Sequence, residues 1–317
     1  MRCRMFKNKD YVIRIFKEGS FSRAAEKLYI SQPSLSASIK RIEDKIGFPI
    51  FDRSTSPVTL TDVGKEYIRV ALEIEKEENG FARYIEDYGS LITGKIRLGG
   101  SSMFSSFVIP TLIGKFKEVN PGISFEVYED STKNLMKKLL LGELDIVIDN
   151  TSSENDATDS IMYRSEVLLL AVPQAFKINE KLKGARLYLE DVKRDAHLAP
   201  DCCVSIEEFA DEPFILLNPE NDTGARAEAL FKEHSISPKV IFNLDQQVTA
   251  FNVSASGLGI SFISDTLIKA TTHLPELYFY RPSGEGMERA ISFYKKKNSY
   301  LSLAARKFIE YSVGKGN

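Results

Sequence analysis

Between Ser20 and Gly47 two short runs of periodic apolar residues meet across a three-residue turn, which restricts this part of the chain to a tightly packed pair of helices. Leu35, Ile39, Ile42 and Ile46 recur at intervals of four, three and four residues, the spacing that puts side chains on one face of a helix. Ser31 supplies a capping hydroxyl ahead of this run, Pro33 suits a first turn, and Gly47 tolerates the left-handed backbone that ends a helix. The opposite face then carries Gln32, Ser34, Ser36, Ala37, Lys40 and Arg41. The first run, Phe21, Ala24, Ala25 and Leu28 behind a Ser20 cap, predicts a shorter helix whose alanines allow close approach. Only Tyr29, Ile30 and Ser31 separate the two.

A helical pair joined this tightly fits a helix-turn-helix, in which the second helix offers its N-terminal side chains to the major groove of DNA. Gln32 is then the candidate for base readout, because its amide can bond adenine N6 and N7 together, while the hydroxyls of Ser34 and Ser36 adapt to several bases. Lys40, Arg41 and Arg53 are candidate phosphate contacts, which set position without reading sequence. Any small helical hairpin with a solvated face shares this spacing. Charge adds weight to the DNA reading. Residues 1–66 hold thirteen Lys or Arg against eight Asp or Glu, a net +5 in a chain of net −2, and the excess sits where phosphate neutralisation needs it.

Phe16, Gly19 to Leu28, Ser31 to Ser36, Ile39, Ile42-Glu43, Gly47, Ile50 to Arg53, Leu60-Thr61 and Gly64 together form a long, ordered motif. It resembles the winged helix-turn-helix of LysR-type transcriptional regulators. The resemblance implies that the helix from Ser31 is the recognition helix, that 48–61 is a wing near the DNA backbone, that Gln32 and Ser36 reach bases or groove, and that Arg53 meets a phosphate. Family members often carry long polar or basic side chains where this chain has Ala37 and Ser38, which implies fewer base contacts from that turn.

Residues 62–90 contain no proline, and Val63, Tyr67, Val70, Ile74, Phe81, Ile85 and Tyr88 form an apolar stripe near a heptad or helical period. The spacing predicts a long helix with one seam that needs a partner, either its own domain or another chain; Gly80 weakens its middle. The resemblance implies a linker helix that pairs antiparallel with its copy in a homodimer, from which a homotetramer can be built. The expected division is a head over 1–62, a linker over 63–93 and an effector domain over 94–317.

From Gly94 strand and helix patterns alternate. Strands are predicted at 95–98, 124–128 and 144–148 with helices at 104–119 and 133–141, a βαβαβ order that makes a parallel sheet with covering helices. A second set follows, with strands at 167–171, 214–217, 239–243 and 259–262 and helices at 225–234 and 246–256. Strands at 277–280 and 290–294 and a helix at 301–311 close the chain. The expected class is α/β behind an all-α, winged head. Two lobes with a returning chain match the type 2 periplasmic-binding-protein fold that the resemblance implies, with lobe I about 94–165 and 274–317 and lobe II about 166–273. Residues 174–203 read as an insertion or decorated loop.

Ligands of open α/β sheets gather at the carboxyl ends of strands, where helix N-termini present free amides. Ser101, Ser102, Ser131, Thr132, Asn218, Thr223 and Gln246 fall at such ends, and their hydroxyls and amides suit a small organic anion, with a carboxylate as the expected effector. By position, the resemblance puts effector contacts on Ser101, Ser102, Ser131 and Thr132. Each of these residue types is also an ordinary helix cap.

Catalysis finds no support. There are three histidines, no G-x-S-x-G elbow, no Gly-rich phosphate loop and no H-E-x-x-H, and Asp145 on its predicted strand reads as an edge residue. No cofactor or metal is expected. His197, Asp201, Cys202 and Cys203 are close in sequence but lack zinc spacing, and with Cys3 the cysteines are too few for a disulfide framework. No run approaches a membrane span, and Asn8, Lys9 and Asp10 break any secretory signal, so a cytoplasmic location without membrane partners is expected. The expected function is regulation of transcription on double-stranded promoter DNA under a small-molecule effector. The competing class is a solute-binding protein or enzyme that carries an accessory helical head.

Overall fold

A computed structural model describes residues 5–55, 57–89, 94–150, 156–199, 202–272 and 274–314, and these form two compact units that divide between Ile85 and Glu86. Cys3 and Asp201 lie outside the described residues, as does the side chain of Tyr88.

The first unit holds α1 (Lys9–Glu18), α2 (Phe21–Lys27), α3 (Gln32–Ile46), a two-stranded hairpin of β1 (Phe51–Asp52) and β2 (Thr59–Leu60), and the start of α4 (Asp62–Gly89). The cap readings hold in detail: Ser20 Oγ accepts from the Arg23 amide, Ser31 Oγ from the Ser34 amide, and Gly47 closes α3 at φ 83°. Leu35, Ile39 and Ile42 are buried with Ala24 and Ala25 against Val12 and Ile15 of α1. α4 enters this core through Tyr67, Ile68 and Ala71. Of the stripe expected along it, Tyr67 is buried and Val63 in the first turn is exposed, while Phe81 and Ile85 are exposed because the helix runs on past the head's core.

The second unit is built on a mixed sheet whose two ends are parallel and whose centre is antiparallel. In the first half β3 (Gly94–Gly100) lies between β4 (Ile123–Glu129) and β5 (Ile146–Asp149), parallel to both. A π-type turn over Phe104–Val108 leads into α5 (Ile109–Val119), and α6 (Thr132–Leu140) follows β4. Asp145 is a brace: its carboxylate accepts from the Arg97 guanidinium at 2.9 Å and from the Arg97 amide at 2.8 Å, tying β3 to the turn before β5.

β6 (Thr158–Pro173) is a sixteen-residue strand that serves both halves, of which only the apolar stretch 167–171 was legible. The polar-alternating first part escaped the pattern because it is only half covered. After it come α7 (Ile178–Lys181), α8 (Leu189–Lys193) and the short β7 (Cys203–Val204). Residues 174–203 are therefore not a loose insertion: Leu187, Leu189 and Val192 are buried in the hydrophobic core and Leu187 bridges to Phe279. The second half continues with β8 (Pro213–Leu217), α9 (Asp222–Glu233), β9 (Lys239–Leu244), α10 (Gln247–Ala255), β10 (Ile260–Ser264) and α11 (Asp265–Ala270). Then follow β11 (Leu277–Pro282), β12 (Glu288–Lys296) and α12 (Leu303–Gly314).

The strand order is β4-β3-β5-β12-β6-β10-β8-β9, with β11 on β6 and β7. β12 runs antiparallel between β5 and the first part of β6, while β10 and β11 pair with its last part. β11 pairs with Leu170–Pro173, the part of β6 that also carries β10, and the chain meets the first half of the sheet again at β12.

Candidate nucleic-acid interface and ligand cleft

Burial of Leu35 and Ile39 fixes how α3 faces, and Gln32, Ser34, Lys40 and Arg41 come out exposed on its far side with Ser36 half-buried. Gln32 Nε2 donates to Ser36 Oγ, one helical turn on, at 3.0 Å. The pair lies along one edge, and among the described residues the Gln32 side-chain oxygen Oε1 accepts no hydrogen bond. Arg41 folds back, its Nε donating to the Ala37 carbonyl at 3.3 Å.

Arg53 is tethered. Its Nη2 donates to Glu43 Oε2 at 3.1 Å, and its guanidinium stands 4.8 Å from the centre of the Phe21 ring. The other Glu43 oxygen accepts the amides of Ile50 (2.9 Å) and Phe51 (3.3 Å). Glu43 thus joins α3 to the hairpin, a role its sequence position does not signal. Thr61 anchors the hairpin's far end by donating to the Pro49 carbonyl at 2.6 Å and accepting the Gly64 amide at 3.0 Å. A Cβ at Gly64 would sit 2.0 Å from the Ile50 carbonyl, so only glycine lets α4 start this close.

In the second unit a small cavity of about 30 Å³ lies where three helices begin. Thr132 opens α6, Asn221 and Asp222 open α9, and Gln246 and Gln247 open α10. A Cβ on Gly224 would fall 2.4 Å from the Leu217 carbonyl, so glycine is what allows α9 to start against the end of β8. Of the residues expected from sequence, Ser101, Thr132 and Gln246 line the cavity. The other four do not. Ser131 caps α6 by accepting the Asn134 amide, Asn218 donates its side-chain amide to Asp245, and Ser102 is half-buried beside Ser101. Thr223 is buried behind the wall, its hydroxyl accepting from Gln247 Nε2 at 2.6 Å and Arg289 Nη1 at 2.9 Å. Ser131 thus serves its own helix and Thr223 the wall, as short polar side chains at helix ends commonly do.

The sequence reading missed the acids. Asp149, Glu220 and Asp222 all line the cavity, and Asp149 accepts from the Thr132 hydroxyl at 2.8 Å. Asp222 accepts from Arg226 and Arg289, both at 2.7 Å. Arg289 on β12 faces Glu166 on β6 in the strand register, and the two pair at 2.8 Å with both side chains almost wholly buried. Glu166 also accepts from Asn150 of the cavity wall at 2.8 Å. A buried charge network therefore runs from the strands shared by the two halves to the cleft wall. Such partners are distant in sequence and leave no periodic trace.

His197 is fully buried with Nε2 3.1 Å from Asp265 Oδ2, and Asp195 is close by. The Lys269 ammonium sits 2.7 Å from Asp265 and 2.6 Å from Asp195, where a cation would otherwise lie. Burial pushes the Asp265 carboxyl up, but hydrogen bonds from His197, Lys269 and the Val167 amide outweigh it and hold the group at about 2. A roomier hollow of about 440 Å³ lies over Ile161, Leu301 and Ile309; it is mainly apolar and no helix N-termini converge on it.

Residues 7–65 match the family model described as bacterial regulatory helix-turn-helix protein, lysR family, and residues 89–315 match that of the LysR substrate binding domain. An uncharacterized HTH-type transcriptional regulator, YcgK of Bacillus subtilis (strain 168), is 28% identical over 303 residues, covering 96% of this chain and 92% of its own. A full-length OxyR variant from Pseudomonas aeruginosa superposes with a TM-score of 0.68 at 21% identity, covering 99% of this chain and 95% of its own. The effector binding domain of QuiR in complex with shikimate gives a TM-score of 0.57 at 18% identity over 71% of this chain and 97% of its own. With a DNA-binding head and an effector-binding body both matched, and relatives that are regulators and not enzymes, the chain belongs to the LysR family of transcriptional regulators.

Proposed function

We propose that this regulator's hold on promoter DNA responds to a small organic anion that also carries hydroxyl or ammonium donors, taken up in the cleft between the two halves of the effector domain. The observation that carries this reading is the meeting of three helix N-termini with three carboxylates around one cavity. Helix N-termini favour an anionic group, while Asp149 and Glu220 disfavour a ligand that offers only negative charge and suit one that brings donors; Asp222 is already neutralised by Arg226 and Arg289. Shikimate, seen in the QuiR domain, is a carboxylate with several hydroxyls and has this chemistry. A cavity of about 30 Å³ holds little more than one water, so the cleft opens to admit the effector, and an effector that prefers one degree of closure shifts the population between states.

The exposed Phe81, Tyr84 and Ile85 on the far part of α4 give a second copy an apolar seam, which supports a homodimer holding two DNA heads over paired half-sites. In the head, Gln32, Ser34 and Ser36 supply groove contacts, with Lys40 and Arg41 on phosphates. The test is calorimetry of the full chain with matched acids, unsubstituted, hydroxylated and aminated. Hydroxylated or aminated acids are expected to bind, and Thr132→Val to weaken them without unfolding the protein. Equal binding of the unsubstituted acids, or unchanged affinity in the variant, refutes the reading.

A further inference from the structure

The turn between α2 and α3 contains a large side chain that serves no packing purpose. Tyr29 has φ 55°, in the left-handed region that glycine or asparagine occupies at least cost and bulky residues seldom enter. Its neighbours are spoken for: the Ile30 amide bonds the Ala25 carbonyl at 3.1 Å, Ile30 packs against the head's core, and Ser31 caps α3. The Tyr29 side chain is 96% exposed, more than any other large apolar residue described, and its hydroxyl has no partner among the described residues. The turn would close as well with a smaller residue, so the reason for a tyrosine must lie outside the fold.

We infer that Tyr29 is a DNA contact whose phenol O–H donates to a backbone phosphate at the groove edge. The placement follows from the head. Gln32 lies one residue past the Ser31 cap at the N-terminus of α3, the end that enters the groove. A turn residue just outside that end lies over the sugar-phosphate strand that borders the groove, and tyrosine is among the side chains that bond phosphate oxygens there. The contact positions the head without reading bases. Since the phenol is neutral, it releases no counterion, and the salt dependence of binding does not change when it is lost.

The test uses the full chain, a duplex enriched from a random-sequence pool by the wild-type protein, and a scrambled duplex of equal composition. Tyr29→Phe is expected to weaken both duplexes on the order of threefold to tenfold, with an unchanged slope of affinity against salt and an unchanged Tm. Tyr29→Gly is expected to weaken DNA binding at least as much while its Tm stays level or rises, since glycine relieves the left-handed position. Full affinity in Tyr29→Phe overturns the hydroxyl assignment, and loss on the enriched duplex alone shows base readout instead. A fall in Tm of Tyr29→Gly in step with affinity makes the residue a holder of the turn and also overturns the inference.

Discussion

Glu43 and Arg53 are joined across the head, one in the last turn of α3 and the other just past β1, at 3.1 Å. The glutamate is mostly buried and holds two hairpin amides as well, whereas the arginine is half exposed. The two residues therefore carry different loads. Glu43 is structural, and Arg53 is an exposed cation held in place by a structural partner.

Glu43→Ala is expected to cost about 1–3 kcal/mol of stability by leaving the Ile50 and Phe51 amides without their acceptor. Arg53→Ala should stay within about 1 kcal/mol of wild type, as exposed ion pairs do, yet weaken DNA binding. Denaturant unfolding and gel shifts on both variants check this. Equal destabilisation with undiminished DNA binding in Arg53→Ala would remove it from the interface.

Gln32 and Lys40 should separate in a salt titration. Lys40→Ala is expected to reduce affinity for every duplex and to lower the salt slope by about one. Gln32→Ala should leave the slope alone and cost about 1–3 kcal/mol of discrimination at one base pair. Binding isotherms on enriched and scrambled duplexes at several salt concentrations measure both.

Arg289→Met is expected to destabilise the effector domain by about 3–5 kcal/mol, because Glu166 stays buried after its charge partner is gone. A double variant, Arg289→Met with Glu166→Leu, should recover much of that loss since no lone buried charge remains. If the double variant unfolds as early as the single one, the cost comes from packing and not from charge.

Asp265 gives an acid dependence. Its carboxyl is held at about 2 in the folded chain against about 3.9 unfolded. The stabilisation is therefore complete above pH ~4 and is lost as pH falls through 2, on the order of 2 kcal/mol. Asp265→Asn should flatten the fall in Tm between pH 4 and 2, and an unchanged acid slope would show that other carboxylates set it.

The α3 stripe, the caps at Ser20 and Ser31, the stop at Gly47 and the alternation of the main strands and helices from Gly94 were legible in the sequence alone, whereas α1, α7, α8, α11 and β7 were not. The legible features rest on local rules: side-chain periodicity and capping act within a few residues, so the pattern is complete in any short window. The exposure of the Gln32 edge followed from the same rules, because burying Leu35 and Ile39 turns Gln32 outward. The tether of Arg53 to Glu43, the long polar part of β6, the pairing of β11 with its end and the acid-lined cleft were decided by tertiary structure. Thr132 and Thr223 look alike in sequence, each at the start of a helix that follows a strand. One reaches the cavity and the other is buried behind Arg289, a difference set by a strand more than sixty residues away from Thr223. Long-range pairing of charges and strands leaves no periodic mark on the chain, and so it became visible only once the halves of the sheet were in place.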